Sequence, residues 1–291
     1  MAGECKMLVD VTGGRGGNAF LLTGRDKTAL IDAGMAYCAP ALIANSKKVL
    51  AGRPLDYILI SHSHYDHVGA VPYLKKEWPE VAVLGAEYAG KIFYRQNALS
   101  TIRALGAQAA EFFTAGEIGE YDDALLKVDD VIAEGSLVDL GDTHIGVLET
   151  LGHTRCSLTF FINDAILFAS ESTGCMGKSG RIYPGFITSY SQALISIDKC
   201  RALNPKQIIS PHFGFVPEHR VRDYWEACRL AARESRDIVL ALAGRGCSEE
   251  GILQHYEAEF CVAEIRLEQP RSAFRLNAAA MIRAVLKEHG A

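Results

Sequence analysis

The stretch from Asp56 to His67, DYILISHSHYDH, restricts the possible folds more than any other, because an apolar run stops abruptly on a set of ligating side chains. Asp56 to Ser61 has the β-branched and apolar content of a buried strand. The next six residues hold His62, His64, Asp66 and His67, so a tight turn at the strand end aims several donors at one point. Nine histidines scattered through 291 residues rarely place three in such a window. An imidazole buried without a partner costs about 1–3 kcal/mol, and a cluster of them needs a shared charge. Neutral imidazole nitrogen and carboxylate oxygen suit a divalent metal such as Zn, Fe or Mn, with no thiolate required.

Other candidate donors also stand where strands end. Gly152-His153-Thr154 follows the strand signal His144–Thr150, Glu171 follows Ala165–Ser170, and His212 follows Gln207–Ser210. Between them the pattern alternates. Two apolar runs split by Gly24-Arg25-Asp26-Lys27 predict a hairpin between residues 18 and 33, with helices expected over 39–50, 67–78, 192–203 and most of 87–116. Ser136–Leu140 and Ser157–Asn163 complete the strand signals, and the acidic run Glu117–Asp130 reads as a solvated cover. After Pro217 the chain turns to helix formers, with Ser248 as a helix start and a last helix near 272–288. The expected organisation is a catalytic domain over 1–216 and a helical extension over 217–291.

A chain with 49% hydrophobic and 22% charged residues can bury a large core. The formal charge of −5 and the scattered basic residues argue against a nucleic-acid surface. No apolar window approaches membrane-spanning length, and residues 1–10, which include Glu4 and Lys6, lack the apolar run of a signal peptide. Eight cysteines without a C-x-x-C pair are expected as reduced thiols in the cytoplasm. Gly13–Gly17 lacks the Lys and Ser or Thr of a phosphate-binding loop and is expected to be mobile.

HSHYDH at 62–67, GHT at 152–154, the acid after ILFAS and the late His212, in this order, resemble the metallo-β-lactamase fold superfamily over roughly residues 15–216. The resemblance implies an α/β fold, the αβ/βα four-layer sandwich of two mixed sheets with helices outside. It also implies two divalent metal ions: His62, His64 and His153 around the first, Asp66, His67 and His212 around the second, and position 171 between them. Family members usually have Asp at that last position, and this chain has Glu171, one methylene longer. Water held between two such ions is acidified from a pKa of 15.7 toward about 7, which provides a hydroxide nucleophile. Asp66 is the residue expected to orient it and take its proton.

Asp32, in LIDAG, reads equally well as a support for the ligand loops or as a turn-forming acid. Tyr65, Tyr183 and Tyr190 are candidate oxyanion donors, whereas Cys156 and Trp225 are expected to pack, and His144, His219, His255 and His289 to be surface or core residues. The helical tail resembles that of glyoxalase II-like thioesterases. The HSHYDH-then-VGAVPYL layout resembles the thioesterases of bacterial alkylquinolone-signal biosynthesis. An acyl thioester is therefore the expected substrate. A lactone or phosphodiester is the alternative within hydrolases, and a metal-stabilised ligand-binding protein is the alternative outside them. No nucleic-acid or membrane partner is expected, and the exposed face of the last helix is a candidate homodimer surface.

Overall fold

Thr28–Ile31 is apolar but for Thr28, whose hydroxyl donates to the Pro54 carbonyl at 2.8 Å, and the strand it forms is buried at all four positions. A computed structural model describes residues 8–116 and 118–290. Cys5, Glu117 and most of the Met1–Asp10 stretch lie outside the described residues. Contacts divide the chain into two compact units, one ending at Leu148 and the other starting at Glu149.

In the first unit, β1 (Leu8–Asp10), β2 (Phe20–Thr23), β3 (Thr28–Ile31), β4 (Tyr57–Leu59), β5 (Ala82–Gly85) and β6 (Asp130–Val131) lie side by side in chain order. β2 and β3 form the expected hairpin, with Phe20 opposite Ile31 and Thr23 opposite Thr28. From β3 to β6 the pairing is parallel. Parallel strands need crossovers: α1 (Ala39–Leu50) connects β3 to β4, and α2 (Tyr65–Val68) and α3 (Val71–Glu77) connect β4 to β5. α4 (Glu87–Phe93) and α5 (Gln96–Phe112) follow, then β7 (Leu137–Asp139) and β8 (His144–Glu149) as an antiparallel hairpin.

Two expectations are corrected here. The helix foreseen over 67–78 is two helices, broken at Gly69 and Ala70. A Cβ at Gly69 would stand 2.5 Å from Ala36 N and 2.6 Å from Tyr65 O, so the chain bends where another backbone passes closely. The loop Gly13–Gly17 is packed in place. A Cβ at Gly13 would meet Cys38 O at 2.3 Å, and one at Gly17 would meet Asp66 O at 2.2 Å.

The second unit carries β9 (Leu158–Ile162), β10 (Ile166–Phe168), the short hairpin β11 (Cys175–Met176) and β12 (Ile182–Tyr183), then α6 (Tyr190–Ala202), β13 (Gln207–Ser210) and β14 (Gly214–Phe215). β10 pairs antiparallel with β9 and parallel with β13, so this arrangement is mixed as well. From residue 218 the structure is helical: α7 (Glu218–Gly244), α8 (Glu249–Phe260), α9 (Ala263–Arg266) and α10 (Arg271–His289). Ser248 caps α8 by accepting from Gly251 N, as its position suggests. These helices share one core with earlier residues, since Tyr183, Phe186, Tyr190 and Ala193 pack with Val239, Tyr256, Phe274 and Ile282. No helix among the described residues is long and apolar enough to cross a membrane.

Candidate metal centre

In the first unit the apolar strand β4 ends at Leu59, and the chain turns through Ser61 into α2, carrying the HSHYDH string around the bend. The imidazole of His62 lies 4.6 Å from that of His64 and 4.1 Å from that of His67, centre to centre. Asp66 Oδ2 stands 3.8 Å from His67 Nε2, wider than a hydrogen bond. His62 and His67 are buried at 1% and 0% exposure, whereas His64 and Asp66 are partly open.

Asp32 organises this group. It has no exposure, and its Oδ1 accepts from Ser61 N at 2.7 Å, while its Oδ2 accepts from Ser61 Oγ at 2.8 Å and lies 2.7 Å from His67 Nδ1. A carboxylate only accepts, so His67 carries its proton on Nδ1 and presents the Nε2 lone pair. Ser61 Oγ donates its hydrogen bond to Asp32, so toward His62 Nδ1, 3.1 Å away, it accepts, and His62 also presents Nε2. Asp32 holds this place at φ +56°, a left-handed conformation that Asp tolerates better than most residues. Of the two readings of Asp32, the structure selects support of the ligand loop.

In the second unit, Gly152 has φ +132°, and its carbonyl accepts from Ile187, Thr188 and Ser189 N–H groups at 3.0, 2.9 and 3.2 Å. Thus anchored, the next residue is held at both ends. His153 N donates to Ser172 Oγ at 2.9 Å, and His153 Nδ1 donates to the Gly185 carbonyl, which again leaves Nε2 as the ligating nitrogen. Glu171 opens a short turn directly after β10. Its Oε2 lies 3.6 Å from His153 Nε2, and its Oε1 lies 3.4 Å from His212 Nε2. One carboxylate thus presents a separate oxygen to each of two imidazoles, at separations longer than hydrogen bonds.

By unit the donors fall into two sets: His62, His64, Asp66 and His67 in one, and His153, Glu171 and His212 in the other. Their chemistry fits a metal, because they are nitrogen and oxygen donors and three of the imidazoles are fixed in the tautomer that ligates through Nε2. The expected oxyanion donors fare differently. Tyr183 Oη donates to Glu264 Oε1 at 2.5 Å, and burial pushes its phenol well above the usual range. Tyr190 is buried against Phe186, and Tyr65 is 8% exposed. Cys156 is buried beside Thr154 Oγ1, and Trp225 packs edge-on against Tyr224, both as expected.

Sequence reasoning missed a cavity of about 430 Å³ lined by Met176, Lys178, Phe213, Phe215, His219 and Arg220 among others. Three of these side chains are basic or can become so, and none of the lining residues is acidic. A contiguous cationic motif would have revealed it, but the contributions come from a hairpin, a strap and the start of α7.

The model of the metallo-β-lactamase superfamily matches residues 12–212, so the chain belongs to that superfamily. Members of this family use two metal ions, usually zinc, and the His-rich donor sets described above are of the kind that holds them. A hydroxyacylglutathione hydrolase from Rhodopseudomonas palustris (strain HaA2) is 32% identical over 177 residues, covering 60% of this chain and 53% of that protein. One from Prochlorococcus marinus is 27% identical over 154 residues, covering 52% and 48%. The chain thus spans about half the length of the curated relatives it matches. A metallo-β-lactamase family protein from Thermus thermophilus superposes with a TM-score of 0.67 at 17% identity, over 98% of this chain and 94% of its own. A superfamily protein from Sulfolobus tokodaii gives 0.59 at 22% identity, over 77% and 86%. These likenesses show the fold, an α/β sandwich of mixed sheets and helices, here with C-terminal helices.

Proposed function

We infer that the protein is a dinuclear metallohydrolase acting on acyl thioesters, with a catalytic domain over 1–216 and an extension over 217–291 that walls the cleft. In this reading His62, His64 and His153 hold one ion, Asp66, His67 and His212 hold the other, and Glu171 is shared. The observation that carries it is the Glu171 carboxylate, with one oxygen toward His153 and the other toward His212 at 3.6 and 3.4 Å. The longer Glu side chain suits a shared role if its backbone sits one methylene further back.

Two divalent ions supply Lewis acidity at the scissile carbonyl and lower the pKa of water to about 7. The rest is the work of the chain. Asp66, partly open beside His67, orients the attacking water and takes its proton. Asp32 and Ser61 keep His62 and His67 in the ligating tautomer. Lys178, His219 and Arg220 make the cavity that Phe213 and Phe215 line suited to a thiol leaving group that carries negative charge. Relatives described as hydroxyacylglutathione hydrolases favour a thioester over a lactone or phosphodiester. The seven described cysteines are free thiols, compatible with a cytoplasmic setting.

Metal analysis of the purified chain, followed by a panel of acyl-CoA and acyl-glutathione thioesters, acyl lactones and aryl phosphodiesters, tests the reading. Two ions per chain and turnover of thioesters are expected. Turnover of phosphodiesters alone would overturn the substrate class, and tight small-ligand binding without any turnover would favour a binding protein. Sedimentation of the same sample reads the oligomeric state, for which the last helix is the candidate homodimer face.

A further inference from the structure

Tyr224 is among the largest fully buried side chains of the molecule, and the chemistry above makes no use of it. It belongs to α7, in the helical extension, yet its hydroxyl reaches the segments that carry two metal-ligand candidates. Tyr224 Oη donates to the Gly174 carbonyl at 3.2 Å. The Ser210 side chain lies within hydrogen-bonding reach of the same phenol, and Ser210 Oγ accepts from Met176 N at 3.0 Å. A relay therefore runs from Met176 N–H through Ser210 and Tyr224 to Gly174. Such chains of donors strengthen one another in a dry interior.

Both ends of the relay bear on ligands. Gly174 closes the turn that Glu171 opens: it has φ +95°, and its N–H donates to Glu171 O at 2.9 Å. Ser210 ends β13, two residues before His212. The two side chains so delivered place Glu171 Oε1 3.4 Å from His212 Nε2. Burial pushes the phenol well above its ordinary range, so it stays protonated and able to donate at any working pH.

We propose that Tyr224 is a positioning residue, through which the helical extension sets the spacing of Glu171 and His212 and hence the affinity for the ion that His212 holds. This rests on the dinuclear reading above. Without the hydroxyl, the turn after Glu171 and the end of β13 lose their common anchor, while His62 and His64 keep theirs and His153, whose N–H donates to Ser172 Oγ in that turn, still has the Gly185 carbonyl at Nδ1. Because Glu171 is shared, both ions feel the loss, but the ion that His212 holds also loses the anchor at the end of β13 and weakens the more.

The test uses the full chain as Tyr224→Phe, Ser210→Ala and the double variant. Stepwise zinc affinities come from chelator competition, the cobalt-substituted protein is followed by visible absorption, and metal-free melting temperatures are recorded. In Tyr224→Phe one zinc step weakens by about tenfold or more while the other weakens clearly less, and one cobalt band shifts more than the other. Ser210→Ala weakens the same step, and the double variant falls short of the product of the two, as coupled neighbours do. Equal weakening of both steps, or of neither, would overturn the positioning role even with two ions bound to the parent chain. A parent chain that binds fewer than two ions would instead sink the dinuclear reading itself. Should Tyr224→Phe prove poorly folded, Ser210→Ala alone decides, because a step-selective loss is still required of it.

Discussion

Asp32 meets three donors on one buried carboxylate, and the two buried histidines of the first ligand set, His62 through Ser61 and His67 directly, depend on it. Asp32→Ala should weaken metal binding by about 10–100-fold, the usual cost of losing a partner that orients a ligating histidine. Chelator competition would measure this, and unchanged affinity would refute the role. Asp32→Asn should be nearly as harmful, because an amide NH₂ must then face either the Ser61 donors or the His67 Nδ1 proton. Glu171→Gln should lower metal stoichiometry, since the amide keeps the shape and gives up the charge and one acceptor. The donors themselves were legible in the sequence because chemistry of this kind concentrates unusual residues in few positions. Their partners were less so. Asp32 could be read two ways until Ser61 and His67 were seen around it, and Gly185 offers only a carbonyl, which any residue would supply.

Short elements hold the donor loops by close backbone approach, and glycine is where this shows. Gly152 combines φ +132° with a would-be Cβ 2.8 Å from Ala193, so Gly152→Ala strains the backbone and collides with α6. A loss of about 1–3 kcal/mol in unfolding free energy is expected, with a drop in metal affinity because His153 is the next residue. Gly17→Ala should behave alike in the first unit, where the new methyl would press on the Asp66 carbonyl. Denaturant titrations of the two variants, with and without zinc, check both. The hairpin over 18–33, α1 and β13 were readable because apolar period and turn residues agree there. The bend at Gly69, the packing of Gly13–Gly17 and the two-residue strands β11 and β12 were not, since each is decided by a neighbour distant in sequence.

At the scale of the molecule, the order of motifs conveyed the fold family, and the change to helix formers after Pro217 conveyed the extension. How the helices of the extension are tied to one another could not be foreseen. Arg271, with burial opposing and Arg275 adding, holds the Glu257 carboxyl down to about 2, tying α8 to α10. Because the folded pKa lies below the ordinary 4.5, the stabilisation is present above that value and is lost as pH falls toward about 2. Melting temperatures of the parent and Glu257→Gln should thus differ near neutrality and converge in acid. Salt should narrow the gap, as Arg271 is largely in solvent. The shared core has a practical corollary for anyone trimming the chain. Cutting after Val216 would uncover the aromatic faces of Phe186 and Tyr190 and remove the phenol beneath Gly174. The shortened product should be sticky and poor at retaining zinc, rather than a minimal enzyme.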